Sequence, residues 1–432
     1  MPFKVLIIGG SGEMGRWAAN QFKHMGFDVS ISSRRDVSDL AASMGVSSAP
    51  QSAAGVFDIV VMSVPIDRIE EVSADVGQRM RPGSLLMDLC SLKKGPVESM
   101  LYHTPPDVEV IGTHPLFGPS IDSIKGRTVV LVPTSRCSKW FPVIHDLFQD
   151  TGANIEVTNS EDHDKKMAIV QGLSHFIYIS FGRTLEAIDV RVKDLDPYGT
   201  PVFGVTKDLA GRVLSQDPDL YTLIQSGEYV RHVRHAYIVA CSELASYMDL
   251  GEREEFIKAI KSAARHYGDT AGARKRSDRI IRKEMEDKIS IMDSVGQERA
   301  FMIDGGKETV YGIVREAGRD EFVLETASRK MSFSYDDVTL ISHEELNELK
   351  SRIAPRISRD IHVKLPIGVN ARMLRWVLTR IDGVADVRME TSDALNPENV
   401  IYRFTVEAYS DASEDTLHKV LSTIWELGYE VK

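Results

Sequence analysis

Near its start the sequence runs from an apolar stretch, residues 5–8, into three glycines at G-x-G-x-x-G spacing, Gly10, Gly12 and Gly15. Beyond them Met14, Trp17, Ala18, Phe22 and Met25 recur at helical intervals, Gly26 ends the pattern, and a second short strand pattern follows at 29–33. Strand, glycine turn, helix and strand in that order are the context in which this spacing acquires meaning. Each glycine then has a task. Gly10 permits a tight turn, Gly12 lets a pyrophosphate approach the backbone, and Gly15 lets the helix pack against the strand. The helix start offers unpaired N–H groups and a positive dipole end to phosphates, and Met14 lies in that first turn. The pattern predicts a dinucleotide-binding unit with Gly10, Gly12, Met14 and Gly15 against the cofactor.

The end of the second strand bears on which dinucleotide. An acid about 20 residues past the glycines usually grips the ribose diol of NAD. Here the strand ends Ser32-Ser33-Arg34-Arg35, with no acid before Asp36. A hydroxyl and a planar guanidinium can hold a 2′-phosphate that a carboxylate would repel. Ser33 and Arg34 therefore favour NADP, with NAD the second choice.

At 432 residues the chain has room for two to four domains. Its net charge of −11 argues against nonspecific binding to nucleic acid or anionic membranes. The basic stretch 274–283 reads as a solvated helix face. Three cysteines, Cys90, Cys137 and Cys241, give neither a disulfide framework nor a C-x-x-C pair, and nothing in the sequence calls for a metal. No leader precedes the first strand, and no apolar run is long enough to span a bilayer. A cytoplasmic protein is expected.

Strand and helix patterns alternate through residues 1–158, predicting a Rossmann-type, doubly wound and largely parallel sheet. The texture changes at 159. Residues 159–293 show long helical patterns broken at Pro197, Pro201 and Pro218, and predict a helical substrate and dimerisation domain. Period-two runs at 294–343 predict a small antiparallel β module. After a charged helix and Pro355, residues 358–432 follow a βαββαβ order, a ferredoxin-like domain.

Open α/β sheets bind ligands outside the carboxyl ends of their strands. Two polar residues arrive there in succession: Ser91 after the run 84–90, and His114 after the run 108–113. A histidine beside a hydroxyl-bearing turn is a candidate general base, since its near-neutral pKa suits removal of a proton from an alcohol.

Gly9-Gly-Ser-Gly-Glu-Met-Gly-Arg16, Asp88-Leu-Cys-Ser-Leu-Lys-Lys-Gly-Pro96 and Thr113-His-Pro-Leu-Phe-Gly-Pro119 closely resemble prephenate dehydrogenases. The likeness continues through Glu161-Asp-His-Asp-Lys-Lys-Met-Ala168, Gln171-Gly-Leu-Ser-His-Phe176, Gly211-Arg-Val-Leu-Ser-Gln-Asp-Pro-Asp-Leu-Tyr221 and His266-Tyr-Gly-Asp269, covering about residues 3–292. The chorismate mutase helices fused to some relatives are not expected. The sequence departs from NAD-using relatives at Ser33. The resemblance implies oxidative decarboxylation of prephenate to 4-hydroxyphenylpyruvate, toward tyrosine, in a homodimer. It implies that His114 is the base, Ser91 its partner on the same hydroxyl, and Lys93 a support in the same turn. Arg212 would hold a substrate carboxylate, which a guanidinium binds bidentately. Gln171 and His175, at i and i+4, share a helix face and would line the cleft.

The C-terminal units stay more open. An ACT-like domain binding tyrosine, an anticodon-binding-like ferredoxin fold and a packing module all suit the βαββαβ order, with 366–370 where a ligand loop would lie. Three function classes remain in view: prephenate or arogenate dehydrogenase, another two-domain NADP oxidoreductase using Lys207, and a non-catalytic NADP-binding sensor. Arogenate would need a carboxylate for its ammonium, and none is evident.

Overall fold

The first apolar run forms β1 (Lys4–Ile8), and the glycines lead into α1 (Glu13–His24) and β2 (Asp28–Ser32). A computed structural model describes residues 2–119, 121, 123–303, 306, 308–326, 328–353, 356–396, 399–409 and 413–431. Then come α2 (Ser38–Met44), β3 (Ser47–Ser48), β4 (Ile59–Met62), α3 (Ile69–Gly77), β5 (Leu85–Asp88), α4 (Lys94–His103), β6 (Glu109–Pro115), β7 (Thr128–Pro133), α5 (Trp140–Asp150) and β8 (Asn154–Val157). The eight strands form one sheet in the order β3-β2-β1-β4-β5-β6-β7-β8. Side chains alternate across it, so Val5 and Ile7 enter one buried cluster and Leu6 and Ile8 the other. That is the continuous apolar strand of a sheet covered on both faces.

The sheet is parallel through β6, but β7 pairs antiparallel with β6 and β8 follows β7 in parallel. The described part of the link 116–127 contains no helix, so the chain turns back instead of crossing over. Neither α2 nor β3 was expected from periodicity. The seven-residue helix buries only Ala41 and the strand has two residues, too little to leave a pattern.

Next come α6 (Ser160–Met167), a π-helical turn (Ala168–Leu173), α7 (Ser174–Ala187), α8 (Val192–Leu195), α9 (Pro201–Leu214), α10 (Pro218–Gln225), α11 (Glu228–Asp249) and α12 (Arg253–Tyr267). Pro201 and Pro218 open their helices directly after the capping side chains of Thr200 and Asp217, where a missing N–H does no harm. These helices bury little: α7 and α12 bury no residue, and α11 buries only Val230.

The chain divides into two compact units, 1–268 and 269–432. The second begins with α13 (Thr270–Met292), which sequence pattern alone had grouped with the preceding helices. Ile291 instead joins the core of the β module with Phe301, Val314, Phe322 and Leu324. Helical periodicity shows that a face is apolar but not which core it meets. In the basic stretch, Arg274, Lys275, Arg276, Arg279 and Arg282 are exposed, and the side chain of Lys283 lies outside the described residues.

The β module is antiparallel, with β9 (Glu298–Ile303), β10 (Glu308–Ala317), β11 (Glu321–Glu325), β12 (Lys330–Ser334) and β13 (Thr339–Leu340) ordered β12-β11-β10-β9-β13. Helix α14 (His343–Ile353) follows, and Pro355 lies outside the described residues. Then β14 (Arg356–Pro366), α15 (Ala371–Leu378), β15 (Val384–Asn396), β16 (Asn399–Tyr409), α16 (Ser413–Glu426) and β17 (Glu430–Val431) complete the ferredoxin-like order β15-β16-β14-β17. Among the described residues no helix is long and apolar enough to cross a membrane.

Candidate active site

The glycine loop is held by β2. The N–H groups of Gly9 and Gly10 both donate to the Ser32 carbonyl, at 2.9 and 3.0 Å. The left-handed residue of the turn is Gly9, φ 81°, not Gly10 as the motif alone suggested. Gly10 is needed for space, since a Cβ there would lie 2.5 Å from Cβ of Ile31. Gly15 has its expected role: a Cβ would meet the Gly9 carbonyl oxygen at 2.2 Å. Gly12 caps α1 with no side-chain hydrogen bond, leaving the first-turn N–H groups for a ligand. Met14 is half-buried in that turn. This cradle fits the pyrophosphate of a dinucleotide.

At the end of β2, Ser33 shares a 2.8 Å hydroxyl–hydroxyl hydrogen bond with Ser11 of the glycine loop. Arg34 and Arg35 are exposed beside it and line a hollow of about 360 Å³ with Ser48 and Gln51. Asp36 lies on the same rim, but its carboxylate accepts from the Ser38 N–H and hydroxyl, at 3.0 and 2.7 Å. Among the described residues that line this hollow, Asp36 is the one acid.

The carboxyl ends of β5 and β6 are built differently. Asp88, fully buried, receives the Lys93 ammonium, the Cys90 N–H at 3.0 Å and the Thr113 N–H at 3.2 Å. Lys93, also fully buried, donates at 2.9 Å to the carbonyl of Thr113, one residue before His114. Lys93 thus clamps two strand ends together with two of its three ammonium hydrogens. Ser91 is half-buried and makes no hydrogen bond among the described residues, so the structure does not join it directly to His114.

His114 is 3% exposed. Its Nδ1 lies 3.0 Å from Nε2 of His163, and Nδ1 of His163 lies 2.7 Å from an oxygen of Asp164. The Asp164 carboxylate also accepts the N–H groups of Lys93 and Lys94, at 2.7 and 2.9 Å, where α4 begins without a side-chain cap. Asn159 caps α6 and sets its buried face, from which His163 and Asp164 project. Burial above all, then the Lys93 charge and the neighbouring His163, hold the His114 pKa well below the ordinary histidine range. The ring is neutral at pH 7 and able to accept a proton.

On the far side, Gln171 Nε2 lies 3.4 Å from Nε2 of His114. Gln171 sits in the π-helical turn, a distortion common at functional sites. The turn is pressed closely on α11, where a Cβ on Gly172 would lie 2.9 Å from Val230, and the Gly172 carbonyl accepts from Gln225 at 2.7 Å. His175 does not meet His114. It stacks edge-on against Tyr221, 4.8 Å between ring centroids, and burial lowers its pKa. The Tyr221 phenol feels the charge of Arg212, which is exposed at the end of α9. Oε1 of Gln171 and Nδ1 of His175 are buried without partners, as groups awaiting a ligand would be. A larger hollow of about 580 Å³ lies among α7, α9, α10 and α11, mostly apolar and with Arg234 its charged group.

His114 lies at its expected strand end, whereas the parts of Asp88, His163 and Asp164 in this cluster are not evident from the sequence. Asp88 had one signal, an acid closing an otherwise apolar strand. Lys207, considered for another oxidoreductase class, is instead paired with Asp196 at 3.0 Å.

Residues 18–157 match the family model for the nucleotide-binding domain of prephenate dehydrogenase, and 159–262 match that for its dimerisation domain. A probable arogenate/prephenate dehydrogenase of Methanocaldococcus jannaschii is 30% identical over 87% of this chain and 86% of its own length. A T-protein of Enterobacter agglomerans is 29% identical over 62% of this chain and 68% of its own. Among solved structures, prephenate dehydrogenase from Aquifex aeolicus in complex with hydroxyphenyl propionate and NAD+ covers 62% of this chain and 97% of its own, with TM-score 0.51 and 21% identity.

Proposed function

The chain belongs to the prephenate dehydrogenase family of oxidoreductases, and from that premise we propose that it oxidatively decarboxylates prephenate to 4-hydroxyphenylpyruvate with NADP+. One observation carries the reading: a buried, neutral histidine at a strand end whose Nε2 faces only an amide. The glycine cradle would hold the dinucleotide by its pyrophosphate, and its nicotinamide would supply the hydride acceptor. His114 Nε2 takes the proton of the ring hydroxyl, and the half-buried Ser91 hydroxyl is free to hold the same oxygen. Gln171 and His175 turn their unpaired atoms toward the substrate, and Arg212 holds a carboxylate. Lys93 supports from behind, by keeping the ends of β5 and β6 together.

Prephenate is favoured over arogenate because both carboxylates near His114 are engaged. Asp88 and Asp164 are both buried and each already takes three donors, so neither is presented to a substrate ammonium. NADP is favoured over NAD by Ser33 and Arg34 at the end of β2. The test presents the protein with prephenate or arogenate and with NADP+ or NAD+, and follows the absorbance of reduced nicotinamide. Reduction with neither substrate would remove the assignment, and faster turnover of arogenate would move it to the sister activity.

We also read the molecule as a homodimer. Ile238, Val239, Met248 and Leu250 on and after α11 are 47%, 50%, 57% and 69% exposed, an apolar surface that a second copy would cover. A monomer at micromolar concentration by light scattering would count against it. The ferredoxin-like domain we read as a sensor of tyrosine, the product of the pathway, through the open turn at Gly368, φ 104°. The N–H groups at the start of α15 are partly taken, because the Asn370 side chain accepts from Arg372. Saturating tyrosine should weaken prephenate binding through a coupling of about 1–3 kcal/mol. Equal inhibition of the full chain and of a chain ending near residue 342 would place the effect outside this domain.

A further inference from the structure

Reading His114 as the base leaves open what selects the ring nitrogen that does the work, and the line of buried groups behind it answers this. The Asp164 carboxylate offers acceptors, and the backbone N–H groups of Lys93 and Lys94 and Nδ1 of His163 converge on it. Nδ1 of His163 must therefore carry its hydrogen. In a neutral imidazole the other nitrogen is then a lone pair, so His163 Nε2 can only accept from His114 Nδ1, 3.0 Å away. That fixes the hydrogen of His114 on Nδ1 and leaves the lone pair on Nε2, toward Gln171. The opposite tautomer would set two buried lone pairs against each other, which no neighbour could relieve.

We infer that His163 and Asp164 are positioning residues that hold His114 in its Nδ1–H tautomer and stabilise the imidazolium formed when Nε2 takes the substrate proton. The inference rests on His114 being the base. Proton count is conserved: the hydroxyl proton moves to Nε2, and Nδ1 keeps its hydrogen, now donated more strongly to His163. The stabilisation is needed because the surroundings of His114 otherwise oppose a positive charge. Lys93 is a cation in the same buried cluster, its charge offset by Asp88, and Gln171 is neutral. Asp164 is the anion aligned with the ring through His163. Sequence gave no sign of this, because the contacts join residues 49 and 70 to 71 positions apart.

Two measurements test it. In protein labelled with ¹⁵N-histidine, long-range proton–nitrogen correlation reads which nitrogen of each ring is protonated. His114 is expected protonated at Nδ1 alone, in the full chain without substrate, and an Nε2–H form would overturn the inference. The second is the pH profile of kcat and kcat/KM in D164N, H163L and H163Q. D164N should lower kcat on the order of 10²-fold, less than the roughly 10⁴-fold loss when a triad's directly bonded carboxylate is neutralised, because Asp164 acts through His163. Its acid limb should move to lower pH, because the imidazolium loses its anion. H163L should lose at least as much. H163Q, whose amide oxygen can still accept from Nδ1–H, should recover part of that loss. Melting temperature and NADP+ affinity report whether each variant is folded. Folded D164N and H163L with wild-type kcat and an unmoved acid limb would overturn the inference. The H114N variant separates this from the base assignment itself: if it stays active, the base reading fails, and if it is inactive while D164N and H163L are normal, only the relay fails.

Discussion

At the carboxyl end of β2, Arg34 and Arg35 are exposed around an open hollow, whereas three strands along the same sheet Asp88, Lys93, His114, His163 and Asp164 are buried and bonded to one another. A group that grips a solvated phosphate must stay free until the ligand arrives. A group that takes a proton at a set distance has to be fixed beforehand, because buried dipoles that must reorganise lose their advantage. On the proposed assignment one sheet would supply both, by leaving one strand end bare and tying two others together through Asp88.

The strongest way to break this contrast is at the fixed end. H114N should lower kcat by about 10²–10⁴, the range for losing general-base help, while NADP+ affinity is kept. Because burial lowers the His114 pKa, the base stays neutral as pH falls through the ordinary histidine range. The wild-type kcat/KM should therefore decline only below about pH 6.5. A stopped or initial-rate series across pH checks both statements.

Stability should divide the two ends as well. D88A leaves the buried Lys93 ammonium without its anion and should cost about 3–5 kcal/mol by denaturant titration. R34A, at an exposed residue of the open end, should stay within about 0.5 kcal/mol. Similar losses in the two variants would mean that the open end is also part of the scaffold.

The remaining two predictions sharpen the contrast at binding. R212A should raise KM for prephenate roughly 10- to 100-fold with little change in kcat, since a carboxylate is charged in ground and transition states alike. Collapsed kcat with unchanged KM would move Arg212 into the chemistry. S33D should erase or invert the preference for NADP over NAD by about tenfold or more in kcat/KM, through repulsion of the 2′-phosphate. A native enzyme that already prefers NAD would show that Ser33 and Arg34 do not read the phosphate.

What was legible in the sequence follows from the reach of each signal. The sheet, the glycine cradle and His114 could be read because each depends on neighbours within a few residues: an apolar run, a turn, a strand end. The ferredoxin-like order was legible for the same reason. The turn residue was misplaced by one because Gly9 and Gly10 are both glycines, and only the backbone shows which adopts φ 81°. His163 and Asp164 lay inside a quoted motif, yet their partners come from elsewhere in the chain. The sequence placed Lys93 in the site's turn as a support, but did not show that it would do so through Asp88.

The π-helical turn between α6 and α7 makes the spacing of this region rigid in an unusual way. His163 and Gln171 approach His114 from the same continuous helical segment, eight residues apart. In a regular α-helix eight residues overshoot two turns by about 80°. The wider turn absorbs part of that overshoot and lets both side chains converge. Loss of one residue between 168 and 173 would then act less as a shortening than as a rotation. Everything downstream, including His175, would swing by about 100° about the axis. For this segment a change of length is a change of aim.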